Sequence, residues 1–509
     1  MLRNLVSVGG FTLLSRIGGF LSAAVQSAVM GAGEVSDAFF IAQRLPNSFR
    51  AIFCEGAFNA AYVPSYSQAL EQEGPAAAKD FASQIFTLLL ASQVLLLALA
   101  WAFTPQLVML IAPGLAEKPG EFGLAVTMTR IVFPYLLFIT LFTLHQGTLN
   151  AHGHFALAAF APVLMNVCVI VALLLAFLFP NAGVAASVGF VFSGALQLAL
   201  LMWLAHRLGL LERLAPVRLE RVREFLWRFG PAIIGSAAPQ IALFADTILS
   251  SLLPVGGVSA ISYAERLYQL PNGLIGVAAG TVLLPEMSRR LAAGDAAGAQ
   301  DAQNRAFALT IAAAMPFVVA FLTIPELIVA AVFMHGKFTM DETYACADVL
   351  SAYAPAVLPL VLVASARAGF QSRGDTKTPM LIAFAALAVN VALKVVLIRY
   401  FGAPGLATAT AVGFWINVVA LVGLALSRGL LHFEPLLWRV LAATAGASLA
   451  LFVATVILRR PALDVGLPFG ALANIVALTL LGVVGAAAYI GVFYLLARAL
   501  GVDLSRLRR

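Results

Sequence analysis

Apolar residues in this 509-residue chain come in runs of about twenty that follow one another from end to end, with short polar breaks between them. A run of that length is what an α-helix needs to cross the hydrocarbon of a bilayer, and its recurrence predicts a polytopic helical membrane protein. Fourteen transmembrane spans are expected, at about 5–30, 35–65, 81–103, 125–147, 155–179, 184–206, 229–253, 258–284, 305–334, 346–368, 378–400, 405–427, 436–458 and 469–497. Longer connections near 66–80, 207–228 and 285–304 read as amphipathic surface helices or solvated linkers, and no soluble domain fits between spans. Composition agrees: 61% apolar residues, 11% charged residues and a mean hydropathy of +0.96 exclude an ordinary soluble domain. The first run holds Arg16 and has no small-residue cleavage site, so it reads as a retained helix and not a signal peptide.

The formal net charge of +7 raises the question of nucleic acid, but the positive residues sit mostly in short loops between spans, where they set topology. With a cytoplasmic N-terminus, about 20 Lys and Arg fall on the cytoplasmic side and about five on the other, namely Lys118, Lys337, Arg399, Arg459 and Arg460. That bias predicts an inner-membrane protein with both termini in the cytoplasm and no nucleic-acid partner. The loop holding Arg207, Arg213, Arg218, Arg221, Arg223 and Arg228 is open to a second role against anionic lipid. Cys54, Cys168 and Cys346 lie far apart and support neither a disulfide framework nor a zinc site. His145, His152 and His154 read as interfacial polar residues, because no carboxylate or cysteine joins them to make a metal site. No cofactor is expected.

The chain also repeats itself. A Leu-Pro-Asn triplet ends at Asn47 and again at Asn272, 225 residues on; P-V-L-M-N-V at 162–167 faces A-L-A-V-N-V at 386–391, at an offset of 224. Two matches at nearly one offset, six spans apart, argue for a duplication with both copies pointing the same way, a transporter architecture. The expected organisation is an N-lobe at 1–208, a basic cytoplasmic linker at 209–228, a C-lobe at 229–427, and two further spans with a tail at 428–509.

Few charges remain inside the spans: Arg16, Asp37, Arg44, Arg50, Glu55, Asp246, Glu265, Arg266 and Lys394. Each costs roughly 2.5–3.5 kcal/mol at mid-membrane, so such residues face a protein cavity or a partner. The stretch from Asp37 to Ser65 concentrates four of them, and Pro46 is expected to break it. Asp37 and Arg44, seven apart, share a face of a continuous helix. Arg16 sits beside Gly18 and Gly19, where the first helix either bends or packs closely. Arg16, Arg50 and Arg266, from two lobes, would form a cationic site if they converge. A planar guanidinium suits a phosphate or diphosphate through bidentate hydrogen bonds, and no equal set of buried carboxylates is there to neutralise all three. Arg44 has a plainer reading, pairing with Asp37 or sitting at the cytoplasmic interface. Glu55, followed by Gly56, has one too, as a hydrogen-bonding residue holding the kinked helix. No GxxxxGK[ST], HExxH, GxSxG or paired-carboxylate set stands out, so neither a nucleotide-driven pump nor an enzyme is indicated. Any energised step would draw on an ion gradient or the membrane potential.

At these residues the chain resembles the MurJ (MviN) family, the lipid II flippases of bacterial peptidoglycan synthesis, within the multidrug/oligosaccharidyl-lipid/polysaccharide exporter superfamily. The resemblance covers essentially the whole chain. Its pieces are L-L-S-R-I-G-G-F at 13–20, G-A-G-E-V-S-D-A-F-F at 31–40, R-L-P-N-S-F-R-A-I-F-C-E-G-A-F at 44–58, Y-A-E-R-L-Y-Q-L-P-N-G-L-I-G-V-A at 263–278, H-G-K-F-T at 335–339 and S-R-G-D-T-K-T-P at 372–379. It implies two lobes around a cationic cavity and two last spans forming a groove for a polyprenyl tail. It further implies a substrate-binding role for Arg16, Arg50 and Arg266 and matches the family's second-span aspartate to Asp37, and it leaves the role of Glu55 open. Asp37, Arg44, Glu55 and Glu265 are taken together as gating or structural polar residues, and a monomer working on lipid II among membrane lipids is expected. In this scheme Asp37 would pair with an arginine at the outer gate. Two other readings stay in play: a flippase for another polyprenyl-diphosphate-linked glycan, and a small-molecule antiporter of the same superfamily, which would want cavity acids for cationic substrates.

The chain departs from the family twice. The first-span motif usually continues G-F-x-R-D, but Phe20 is followed here by Leu21, Ser22 and Ala23, so an arginine and an acid are missing and the cavity is expected to be less cationic. Some members bind sodium through positions matched here by Asp246, Asn390, Lys394 and Thr410. An ammonium has no lone pair to offer a cation, so Lys394 is expected to pair with Asp246 and replace the ion by a tethered charge; the alternative is that Lys394 snorkels to an interface. If the pair exists, Asp246→Asn and Lys394→Ala each lower the melting temperature of the purified protein; two variants as stable as the parent would rule it out.

Overall fold

A computed structural model describes residues 2–51 and 57–503, and every regular element among them is helical. That is the expected outcome for long apolar segments, since a helix satisfies its own backbone polar groups where no water can. Glu55 and Cys54 lie outside the described residues.

The chain divides into two compact units, one of residues 1–259 with 336–338 and one of 260–335 with 339–509. In the first, α1 (Leu2–Met30), α2 (Glu34–Phe49), α3 (Asn59–Gln72), α4 (Pro75–Ala102), α5 (Thr104–Ile111), α6 (Pro119–Val132), α7 (Pro134–Ala151), α8 (Ala156–Leu174), α9 (Ala182–Arg207) and α10 (Leu219–Ser251) follow in order, and α11 (Gly257–Tyr268) begins there. The second continues with α12 (Val277–Ala292), α13 (Ala296–Thr323), α14 (Pro325–Phe333), α15 (Met340–Gln371), α16 (Lys377–Ser427), α17 (Pro435–Gly466) and α18 (Ala473–Ala499). Nine stretches among the described residues are long and apolar enough to cross a membrane. Two of these are interrupted by a glycine with positive φ, Gly402 within Lys377–Ser427 and Gly470 within Pro435–Ala499, close to where the hydropathy pattern separates successive spans. The full count of fourteen is not established by these helices.

Large apolar side chains point outward as well as inward: Leu95 is 61% and Val483 65% exposed. In water such a surface would aggregate, whereas against lipid tails it costs nothing. The chain is a multi-pass membrane protein.

Pro46 does not break the second helix. α2 runs through it to Phe49, and the distortion comes just after, where Arg50 and Ala51 enter a wider π-helical turn. The second Leu-Pro-Asn triplet is followed by the same distortion, a π-turn over Asn272–Gly276. In each copy a widened turn begins within four residues after the proline. The shared response supports the duplication.

The connections expected to be long are largely helix: α3 ends at Gln72 and α4 starts at Pro75, and α12 ends at Ala292 with α13 starting at Ala296. The basic linker is different. Its first half is an extended strap whose backbone is held by polar side chains of α4. Lys79 Nζ donates to the Gly209 carbonyl (2.8 Å), Ala215 N–H donates to Thr87 Oγ1 (2.9 Å), and Arg218 N–H donates to Gln84 Oε1 (2.9 Å). Glu212 turns inward from this strap and is buried. Its Oε2 lies 2.7 Å from His145 Nδ1, and its Oε1 accepts from Thr148 Oγ1 (2.9 Å), itself 2.7 Å from the Tyr62 hydroxyl. His145, expected at an interface, is therefore a core residue. From residue 219 the linker is already α10, with Val222 and Phe225 buried and Arg223 and Arg228 exposed. Removing one side of a buried polar contact leaves the groups around it without a partner, at about 1–3 kcal/mol. Glu212→Ala is expected to destabilise the protein by that order in a detergent melting experiment, far more than Glu224→Ala, which breaks only the exposed pair with Arg228.

Candidate functional site

The site is built outward from Arg16. Gly18 and Gly19 bring α1 against α8: a Cβ at Gly18 would stand 3.3 Å from Asn166. Asn166 Nδ2 donates to the Ser15 carbonyl (3.1 Å) and to that of Pro162 (3.1 Å), which ties the two helices at this level. Of the two readings for the glycine pair, close packing is the one seen. Beside this contact lies a cavity of about 480 Å³, whose walls include Arg16, Gln146, Asn150, Phe155, Ala158 and Pro162. Arg16 is exposed, lines this space and forms no hydrogen bond or ion pair among the described residues.

Arg44 and Arg50 are half-buried on α2 and its π-turn in the first unit; Glu265 and Arg266 are half-buried on α11 in the second. Where the family has an arginine and an acid, Ser22 and Ala23 are buried, and Ser22 Oγ accepts from Gln26 Nε2 (3.1 Å). A neutral hydrogen bond thus stands in place of two charges.

Asp37 has acquired partners other than an arginine. Its Oδ2 accepts from Gly256 N–H (2.7 Å); its Oδ1 accepts from Ser259 N–H (2.7 Å) and from the Ser259 hydroxyl, which also lies 2.8 Å from Ser36 Oγ. A carboxylate is thereby seated on the first turn of α11, where orphan N–H groups and the helix dipole favour negative charge. Gly256 is needed there: its φ is +88°, and a Cβ would lie 2.7 Å from the Ala32 carbonyl oxygen. The same segment is held from its other side, with Gly114 N–H donating to Ser251 Oγ (3.1 Å) and Lys118 Nζ to the Leu253 carbonyl (2.5 Å). The H-G-K-F-T motif joins this end of the unit, since Lys337 N–H donates to the Ala28 carbonyl (2.8 Å).

The positions matched to a sodium site are distributed over both units. Asp246 is half-buried on α10; Asn390, Lys394 and Thr410 are buried on α16. Asn390 Nδ2 donates to the Ala409 carbonyl (3.2 Å) and Thr410 Oγ1 to the Leu406 carbonyl (3.0 Å). Among the described residues no group of three or more His, Cys, Asp or Glu is placed to hold a metal ion. The S-R-G-D-T-K-T-P motif is used at helix ends. Arg373 Nη1 donates to the Gly369 carbonyl (2.6 Å), and Asp375 accepts from Thr378 N–H (2.9 Å); hydrogen bonding from the Thr378 side chain, and next from its backbone, holds the carboxyl below the usual range.

Gln146, Asn150, Glu212 and Ser259 escape a reading of the sequence because they are uncharged or lie in a loop. The one signal for the first two is their spacing of four inside an apolar span.

The family model described as lipid II flippase MurJ matches residues 26–466. A probable lipid II flippase MurJ of Rhizobium meliloti (strain 1021) is 36% identical, the match covering 100% of this chain and 96% of that protein. A lipid II flippase MurJ of Burkholderia cenocepacia is 33% identical, covering 89% of each. Among solved structures, a lipid II flippase MurJ in an inward closed conformation superimposes with a TM-score of 0.81 at 21% identity, over 97% of this chain and 99% of that one. An inward-facing multidrug transporter of the MATE family superimposes at 0.66 and 16% identity, over 82% and 94%, which speaks for the fold alone.

Asp37→Ala leaves two backbone N–H groups without an acceptor, at about 1–3 kcal/mol each when buried. Faster amide exchange is expected at Gly256 and Ser259, with Asp37→Asn intermediate because it keeps one carbonyl oxygen. Unchanged exchange in Asp37→Ala would show that the carboxylate does not hold this turn.

Proposed function

The chain belongs to the lipid II flippase MurJ family, and we propose that it carries lipid II, the undecaprenyl-diphosphate-linked disaccharide-pentapeptide, from the cytoplasmic to the periplasmic leaflet by alternating access. The observation that carries this reading is the cavity lined by Arg16, whose exposed side chain has no hydrogen bond or ion pair among the described residues. An exposed guanidinium lining such a cavity is available to an anion, and a diphosphate meets it with several oxygens at once. The same substrate-binding role is proposed for Arg50 and for Arg266.

Asp37 acts at the outer end. Its hold on Gly256 and Ser259 is a closed arrangement that opening must break, so it serves as a latch through backbone N–H groups instead of through an arginine. Lys394, buried on α16, supplies a fixed charge in place of a coupling ion. The outward movement draws on the membrane potential, worth about 2.3 kcal/mol per charge per 100 mV. The protein works as a monomer in the inner membrane with both termini in the cytoplasm, a placement supported by the distribution of Lys and Arg. It is a transporter and performs no covalent chemistry on the lipid.

One feature favours a second reading. Ser22 and Ala23 in place of an arginine and an acid suit a carrier lipid with a different glycan.

Complementation separates the two. In a bacterium whose lipid II flippase is switched off, the wild-type chain is expected to restore growth, and Arg16→Ala, Arg50→Ala and Arg266→Ala to fail at equal membrane levels. Failure of a well-expressed wild type would move the substrate to another polyprenyl-linked glycan.

A further inference from the structure

Arg16 shares its cavity with two carboxamides, Gln146 and Asn150, that the binding of a diphosphate leaves without a task. They stand four residues apart on α7 and therefore on one face of it. Neither side chain makes a hydrogen bond among the described residues, and Asn150 Oδ1 is buried with no donor facing it. A buried carbonyl oxygen in that state is a standing cost, and turning the Asn150 carboxamide toward the cavity lets the N–H of a ligand remove it.

The type of ligand group is set by the chemistry of the walls. A carboxamide presents a donor and an acceptor side by side, so another amide matches it completely, whereas a hydroxyl engages it less fully and a phosphate can use only the donor. The rest of the wall is Ser15 with Phe155, Ala158, Ala159 and Pro162, and its apolar side chains give a methyl group a van der Waals contact. An amide that ends in a methyl is an acetamido group. On a sugar joined to a diphosphate at C1, a substituent at C2 is on the adjacent ring carbon, so the two groups fall together within one cavity. The volume of about 480 Å³ lies in the ordinary range for a small-ligand site.

We infer that Gln146 and Asn150 recognise a 2-acetamido group on the sugar attached directly to the diphosphate, while Arg16 takes the diphosphate itself. This inference rests on Arg16 being a diphosphate site. It makes the cavity selective for the first sugar of the carried glycan, and the two carboxamides are its specificity residues.

The test uses the purified full chain in nanodiscs and native mass spectrometry. Two probes differ in one group: undecaprenyl diphosphate bearing N-acetylglucosamine, and the same lipid bearing glucose. The wild type is expected to prefer the acetamido lipid about tenfold, the effect of one or two hydrogen bonds of ordinary net strength. Gln146→Leu and Asn150→Leu are expected to bring that ratio close to one. Because the ratio compares two ligands on one preparation, partial misfolding of a variant does not mimic the result. Arg16→Ala is expected to weaken both lipids together. A wild-type ratio near one, or a tenfold ratio that survives both leucine variants, overturns the acetamido assignment; weakening of both lipids in Arg16→Ala then leaves the diphosphate reading standing. If Arg16→Ala binds both lipids as tightly as the wild type, the diphosphate reading fails and the inference falls with it. A UDP-linked N-acetylglucosamine is added as a soluble competitor. Displacement of the acetamido lipid at matching concentration would assign the site to a nucleotide sugar and overturn the inference as stated.

Discussion

In hydrocarbon a polar group must find its partner inside the protein, and this one constraint decides the role of each polar residue in the chain. Where the partner is present, the group is architecture. Glu212 and His145 close on each other inside the first unit, Asn166 ties α1 to α8, and Asp375 and Arg373 finish helix ends. Where the partner is absent, the group is waiting for something. Arg16, Gln146 and Asn150 are the clearest such case, and they line one cavity.

The same constraint explains how a charged segment keeps its helix. The Leu-Pro-Asn triplets after Arg44 and after Gln269 remove a backbone hydrogen bond within a span, and each leads into a π-turn in place of a break. Widening the turn keeps most N–H groups supplied while shifting the register of the next residues, so the face after the proline differs from the face before it. Arg50 sits on that shift. The face shared by Asp37 and Arg44 therefore does not extend across Pro46, even though the helix does not end there.

Much of this is legible in the sequence. Run length announces the helices, two triplets announce the duplication, and the scarcity of charge inside spans singles out Arg16 and Asp37. The hidden features are of two kinds. The partners of Asp37 are mainly backbone N–H groups, which carry no residue signature; only the positive φ of Gly256 marks the place, and a glycine among 41 is no signal. The strap is hidden because its backbone is bound by Lys79, Gln84 and Thr87, side chains that look like the ordinary polar start of a span. A loop rich in arginine reads as topology, and the one acid in it that goes inside is lost among them.

The two departures from the family acquire a different meaning when charge is counted by partner. Losing an arginine together with an acid after Phe20 leaves the net charge of the cavity where it was, so the expectation of a less cationic site holds for the number of guanidinium donors and not for the sum of charge. Ser22 and Ala23 are buried, and a charged pair at that depth would have to be dehydrated and held in good geometry to break even. Replacing it by the Ser22–Gln26 hydrogen bond removes that cost, and it removes a carboxylate able to compete for the arginines that remain. Arg16 accordingly has no ion pair to give up before an anion arrives. On the proposed reading, the neutral carboxamides on α7 are then the groups through which such a cavity distinguishes one glycan from another.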